Sequence, residues 1–264
     1  MTELLPEPAF EMAAHSDRGT ERERNEDSCA CAPEVGLVAV ADGVSGALGA
    51  ETASRMAVDA LAREYRSLPA SLSTARRLAR AAQRANIEVH ELSLFVPELR
   101  GMSTTLTAAV VDGGQLHAVH VGDSRLYLVR RGTVSQLTKD HTAAAERVRF
   151  GVNGDPSFVL TRSLGRELIC TLDRITMTLQ EGDLLLLCSD GLHRVLAEQE
   201  LEQVVRDADA SQACRALIET ANGRGTPDNV TAAVVRMIGP ISPPARAPGL
   251  AERFRRLIGL RGTA

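Results

Sequence analysis

The chain has 264 residues, is 44% hydrophobic, contains no Trp and carries a formal net charge of −4. That length can bury the core of one large domain or two small ones. The acidic balance excludes the broad basic field of a nucleic-acid binder, and the longest apolar runs, such as DLLLLCSDGL, are too short to span a bilayer.

In chain order, the opening MTELLPEPAF is acidic and broken by Pro, so no secretory leader is expected in it. The five cysteines (Cys29, Cys31, Cys170, Cys188 and Cys214) are scattered, odd in number and without a CxxC pair. They read as reduced thiols of a cytoplasmic protein and not as a disulfide framework or zinc site. Glu26 and Asp27 are expected near the end of a first strand. The apolar run GLVAVA then stops at Asp42, which is followed by two glycines with little side chain between them.

Two amphipathic helices come next. Over 48–65, Ala53, Met56, Ala57, Ala60 and Leu61 share a face. Over 71–93, Ala75, Leu78, Ala79 and Ala82 do the same, with Arg76, Arg77, Arg80 and Arg84 on the wetter side. Strand signals follow at TTLTAAVVD, GQLHAVHVGD and SRLYLVR, joined by DGG and GDS turns, which predicts antiparallel neighbours. The segment 140–164 has weak periodicity and many turn residues, and reads as a mobile excursion from the core. Further strands are expected at DLLLLCS and NVTAAVVRM, with helices over 198–207 and 211–221. Helices and strands arrive in blocks, which predicts an α+β layered fold and not a doubly wound one. Beyond Met237 lie a Pro-rich linker and a basic amphipathic stretch, LAERFRRLIGL. That tail reads as solvated and partly helical, with docking on a partner or an anionic membrane surface as the alternative.

One pattern recurs along the chain. Asp42, Asp123 and Asp190 each follow an apolar strand, Asp228 opens one, and Glu26 and Asp27 sit at another boundary. Strands packed in sheets can bring such boundaries to one rim. Converging carboxylates repel, and stay ionised only around a cation. An all-oxygen donor set suits Mg²⁺ or Mn²⁺ and not zinc. Gly43 lets a backbone carbonyl approach the ion. No D-x-D-x-D-G spacing supports an EF-hand, and no G-x-S-x-G elbow supports a serine nucleophile at GDSR. His117 and His120 point to opposite faces of one strand and cannot readily share a metal. Ser103, Thr104 and Thr105 either line the site or serve the core, Arg125 is expected to pair with a carboxylate, and His141 and His193 are expected in structural or solvated roles.

The ordered motifs SDRGTERERNED, ADGVSG, GMSTTL, VGDSR, LTKDH, LTRSLG, CSDGL and DNVT resemble those of bacterial metal-dependent serine/threonine phosphatases of the protein phosphatase 2C family. The resemblance covers about 11–237 within a catalytic domain over 1–238, followed by the 239–264 tail. It implies a four-layer α-β-β-α sandwich with two antiparallel sheets packed face to face. It further implies a binuclear Mn²⁺/Mg²⁺ centre in which Asp42 bridges both ions, the Gly43 carbonyl binds one, and Asp190 and Asp228 bind the other. Asp123 and Asp190 would hold a third, looser ion, Glu26 and Asp27 would act through ordered waters, and Arg22 would grip the substrate phosphate. The implied reaction is hydrolysis of phosphoserine and phosphothreonine in proteins by metal-activated water, without a phosphoenzyme. The implied protein is a cytoplasmic monomer that opposes a Ser/Thr kinase. The chain departs from many relatives in two places. Val44 stands where eukaryotic members often carry a histidine, and the flap over about 141–160 is short.

Overall fold

A computed structural model describes residues 10–44, 49–149 and 159–239. The tail beyond 239 and the end of the flap therefore lie outside the described residues. Two antiparallel sheets of five strands each form the centre. One contains β1 (Phe10–Asp17), β10 (Val230–Met237), β9 (Leu184–Cys188), β6 (Arg125–Arg130) and β7 (Thr133–Gln136), in that spatial order. The other contains β2 (Asp27–Ala32), β3 (Leu37–Asp42), β4 (Leu106–Asp112), β5 (Gln115–Val121) and β8 (Asp173–Thr178). Helices α1 (Ala50–Ser67) and α2 (Thr74–Phe95) cover the β2–β8 sheet. Helices α5 (Glu198–Val205) and α6 (Ala210–Gly223) cover the other sheet. Two short helices, α3 (Ala143–Arg149) and α4 (Asp190–His193), complete the set.

The sandwich follows from strand alternation. In β3, Leu37, Ala39 and Ala41 face the α1–α2 layer, whereas Val38 and Val40 face the opposite sheet. In β9, Leu184, Leu186 and Cys188 face the α5–α6 layer, and Leu185 and Leu187 face inward. Side chains alternate with a period of two, so a strand covered on both faces reads as a continuous apolar run. Three cores result: one between the sheets and one beneath each helical layer. On α1 the small residues Ala53, Ala57 and Ala60 are fully buried, which lets the helix backbone lie close to its sheet. Its neighbour α2 is fixed partly by Arg77, whose guanidinium lies 4.3 Å from the centre of the Tyr65 ring and donates to the Tyr65 carbonyl.

Two sequence expectations need correction. The DGG turn does join hydrogen-bonded antiparallel neighbours, β4 and β5. The GDS turn does not: β5 and β6 belong to different sheets, and β6 pairs with β9 and β7. A tight connection can carry the chain across a sandwich as well as along a sheet. The acidic pair Glu26–Asp27 does not end the first strand; Asp27 is the first residue of β2. Strand β1 is already over at Asp17, and the intervening loop carries Arg22. No helix among the described residues is long and apolar enough to cross a membrane, and all five cysteines are free thiols.

Candidate metal centre

Strand ends from both sheets meet at one rim. On the β2–β8 sheet, Asp27 and Asp42 stand directly opposite each other in register. On the other sheet, β9 leads through Ser189 into Asp190 and α4, and Asp228 lies two residues before the start of β10. A cavity of about 820 Å³ opens there, lined by Asp42, Gly43, Asp123, Asp190, Asp228 and Arg22. These are four of the six carboxylates singled out from sequence, together with the backbone group and the arginine; Glu26 and Asp27 are not in the lining.

Hydroxyl groups fix the backbone of Asp42. Its N–H donates to Thr105 Oγ1 (2.9 Å), and its carbonyl accepts from Thr105 N (2.8 Å) and Thr104 Oγ1 (2.8 Å). Thr105 Oγ1 lies 2.6 Å from Ser124 Oγ, which ties the end of β3 to the turn bearing Asp123. Ser103 and Thr105 also line the cavity. Gly43 donates its N–H to the Glu26 carbonyl (3.1 Å), and a Cβ there would lie 2.4 Å from the Ala50 carbonyl oxygen. The same holds for Gly191, where a Cβ would lie 2.0 Å from the Asn229 carbonyl oxygen. Glycine is thus needed at both places because backbone crosses backbone, a tighter demand than the carbonyl access expected at Gly43.

Asp27 stitches the two sheets together. Its Oδ2 accepts from Ser189 Oγ (2.7 Å) and from Thr231 Oγ1 (2.7 Å), both on the opposite sheet. Asn229 clamps the 18–26 loop. Its Nδ2 donates to the carbonyls of Arg18 and Arg24 (2.8 Å each), and its Oδ1 accepts from Glu26 N (2.8 Å). That clamp sets the position of Arg22, whose guanidinium lies 2.9 Å from Asp228 Oδ2. Asn229→Ala removes all three bonds at a buried position, so a loss of roughly 2–4 kcal/mol of stability is expected. A lower thermal midpoint is the measurement that checks it.

The electrostatics are those of crowded acids. Burial, reinforced by Asp190 and Asp228, raises Asp27 to about 7 despite its two hydroxyl donors. Burial and Asp190 raise Asp123 to about 7, against the opposing Arg194. Asp42 is pushed well above the ordinary carboxylate range by desolvation and by Asp27, Asp190, Asp123 and Asp228. Asp190 is raised by burial and by Asp228, against Arg194 and the neighbouring Asp42 side chain, and its buried Oδ1 accepts from no donor assigned among the described residues. No three His, Cys, Asp or Glu side chains among the described residues are gathered tightly enough to close on an ion as they stand. Arg22 lies on Asp228, and Arg194 lies on Asp190. The donor set still fits a hard divalent cation: oxygen ligands, mutual repulsion that a cation relieves, and an orphaned carboxylate oxygen inside.

The remaining histidines are structural. His141 Nδ1 accepts from the Gly122 N–H (3.1 Å), its Nε2 donates to Asp173 Oδ2 (3.2 Å), and its ring lies tilted against buried His120 with ring centres 4.8 Å apart. His193 Nε2 lies 3.0 Å from the Asp123 carbonyl. Arg125 makes a bidentate ion pair with Asp140, as the sequence suggested. Glu26 contributes through its backbone on both sides, and its side chain does not line the cavity. Sequence reasoning passed over Asn229, Ser189, Thr231 and Arg194. The first three stand inside or beside the quoted motifs CSDGL and DNVT, yet nothing in their spacing marks them as clamps.

Residues 14–234 match the family model described as protein phosphatase 2C. The chain belongs to the protein phosphatase 2C family. It is 36% identical over 242 residues to the serine/threonine protein phosphatase PstP of Mycobacterium tuberculosis, a match that covers 86% of this chain and 45% of that protein. It is 34% identical over 234 residues to the serine/threonine phosphatase stp of Listeria monocytogenes, covering 83% of this chain and 93% of that one. Thus the chain spans about half the length of the mycobacterial relative and nearly all of the listerial one. Among solved structures, the catalytic domain of PstP in complex with 2 manganese ions superposes with a TM-score of 0.77 at 35% identity, covering 87% of this chain and 98% of that one.

Proposed function

We propose that this chain is a Mn²⁺- or Mg²⁺-dependent protein serine/threonine phosphatase that hydrolyses phosphoserine and phosphothreonine in proteins. One observation carries the reading: Asp42, Asp190, Asp228 and Arg22 line a single cavity where two sheets meet. Asp42, the Gly43 carbonyl, Asp190 and Asp228 would hold two ions, with Asp27 supporting them from behind. When bound, such a pair supplies activated water near neutral pH and neutralises phosphoryl oxygens. Without cations, the acidic cavity repels a phosphate dianion. Arg22 stands at the cavity with a fork of donors that matches a phosphoryl group, and binding phosphate there draws it off Asp228. The Thr104 and Thr105 bonds hold Asp42 still while charge redistributes, so little reorganisation is needed.

The leaving oxygen takes its proton from solvent in this reading. Val44 offers no acid, and no histidine among the described residues lines the cavity. In the same reading, residues 1–238 form the catalytic domain, the 239–264 tail is an appendage, and the protein is a cytoplasmic monomer opposing a Ser/Thr kinase.

The test is release of phosphate from a phosphothreonine peptide by purified protein. Hydrolysis with Mn²⁺ that stops on chelation and returns on Mn²⁺ addition is expected, with no phosphate left on the enzyme. Turnover indifferent to chelation, or no turnover with Mn²⁺, overturns the proposal.

A further inference from the structure

We propose that Arg194 is a built-in cation of this site: it occupies the position between Asp123 and Asp190 and limits the chain to two divalent ions. The inference rests on the two-ion reading given above. It assigns to a covalently held guanidinium the place where the sequence resemblance would put a third ion.

The geometry is specific. A single nitrogen, Arg194 Nη2, lies 2.8 Å from Asp190 Oδ2 and 3.4 Å from Asp123 Oδ2. A divalent ion bridging those oxygens would sit about 2.0–2.6 Å from each, in the space the nitrogen fills. The two cations cannot share that space, and at close range they repel. Arginine never gives up its proton under these conditions. Its tether also keeps it at a high effective concentration beside its carboxylates. A free ion competes against that at every concentration.

Local structure holds the arrangement in place. Arg194 is four residues after Asp190, and its N–H donates to the Asp190 carbonyl (3.0 Å), so the turn that presents the carboxylate presents its counter-charge too. The preceding residue, His193, holds the Asp123 carbonyl. Asp123 is therefore gripped through its backbone by one residue and through its carboxylate by the next. Asp190 is divided between two tasks. Oδ2 belongs to Arg194, whereas buried Oδ1 accepts from no donor assigned among the described residues and, beside the Asp42 side chain, is left to an ion. Arg194 lines the same cavity as Arg22 and Arg166. It supplies positive charge beside the phosphoryl position without depending on the metal supply.

Mn²⁺ counting by equilibrium dialysis and elemental analysis, carried into the millimolar range, tests this on the full chain. Wild-type protein is expected to bind two ions. Arg194→Gln, at a side chain that is 41% exposed, is expected to bind three. Asp123→Asn in the otherwise native chain is expected to keep two, because Asp123 is no ligand while Arg194 is present. A wild-type count of three, an Arg194→Gln count that stays at two, or the loss of an ion in Asp123→Asn overturns the role of Arg194 and leaves the two-ion reading intact. Wild-type protein that binds no Mn²⁺ overturns the two-ion reading, and this inference with it. The wild-type count alone can overturn the proposal, so a poorly folded variant does not shield it.

Discussion

Asp42→Asn is expected to lower kcat/KM for a phosphothreonine peptide by about three orders of magnitude or more, the loss of roughly 4 kcal/mol of transition-state stabilisation. The same change is expected to raise the melting temperature of the ion-free protein. Asp42 is the carboxyl most crowded by others, with Asp27, Asp190, Asp123 and Asp228 all opposing its ionisation. An amide of the same shape removes the repulsion and keeps the backbone bonds to Thr104 and Thr105. Functional carboxylates held against their own repulsion make a site that costs stability. Peptide turnover and calorimetry of the chelated protein check the two halves together. A variant that keeps near-native turnover with Mn²⁺ removes Asp42 from the ion centre, and one that melts lower without ions contradicts the repulsion.

The second large effect is the pH dependence of stabilisation by metal. In the ion-free fold, the proposed ligands Asp42 and Asp190 are held above the ordinary carboxylate range, and Asp27 behind them is raised from 3.8 to about 7. An acid raised in the folded state binds protons that the unfolded chain has released, so its contribution to stability is full below about pH 4 and is lost as pH climbs through 7. For a single carboxyl shifted this far, the loss is roughly 4 kcal/mol. Buried His120 and partly buried His193 pull the other way. Burial lowers both to about 4, so their contribution is lost as pH falls below their ordinary range. The difference between the Mn²⁺-loaded and chelated proteins largely cancels the histidines and leaves the acids. At about pH 8 the ions replace the missing protons, whereas at about pH 5 they must displace protons to bind. The rise in melting temperature on adding Mn²⁺ should therefore be several degrees larger at the higher pH. A rise that is equal at both, or larger in acid, contradicts a carboxylate ion centre.

How much of this was legible in the sequence depends on the kind of signal each residue gives. Strands buried on both faces, such as LVAVA and LLLL, announce themselves as apolar runs, and a carboxylate at the end of such a run is conspicuous. Asp42, Asp123, Asp190 and Asp228 could therefore be read directly. The exposed edge strands β7 and β8 gave no such signal, because one face of each is wet and the runs are short. The GDS turn was misread because connection length says nothing about which sheet the next strand joins. The clamp residues Asn229, Ser189 and Thr231 look like ordinary turn and strand residues until the partner loop is placed beside them. Their partners lie 162 to 211 residues away along the chain, a separation no local pattern encodes. The same holds for Arg194, whose meaning depends on Asp123 arriving from another strand.

The Asp27 tether has one consequence for the rest of the molecule. Because Ser189 and Thr231 reach across to Asp27, the spacing of the two sheets is written into the mouth of the cavity. Atoms such as the Val38 and Leu185 side chains, sealed in the layer between the sheets, act as shims for the ion centre. Thinning that layer with a smaller side chain would change ion affinity from a distance, with no ligand altered.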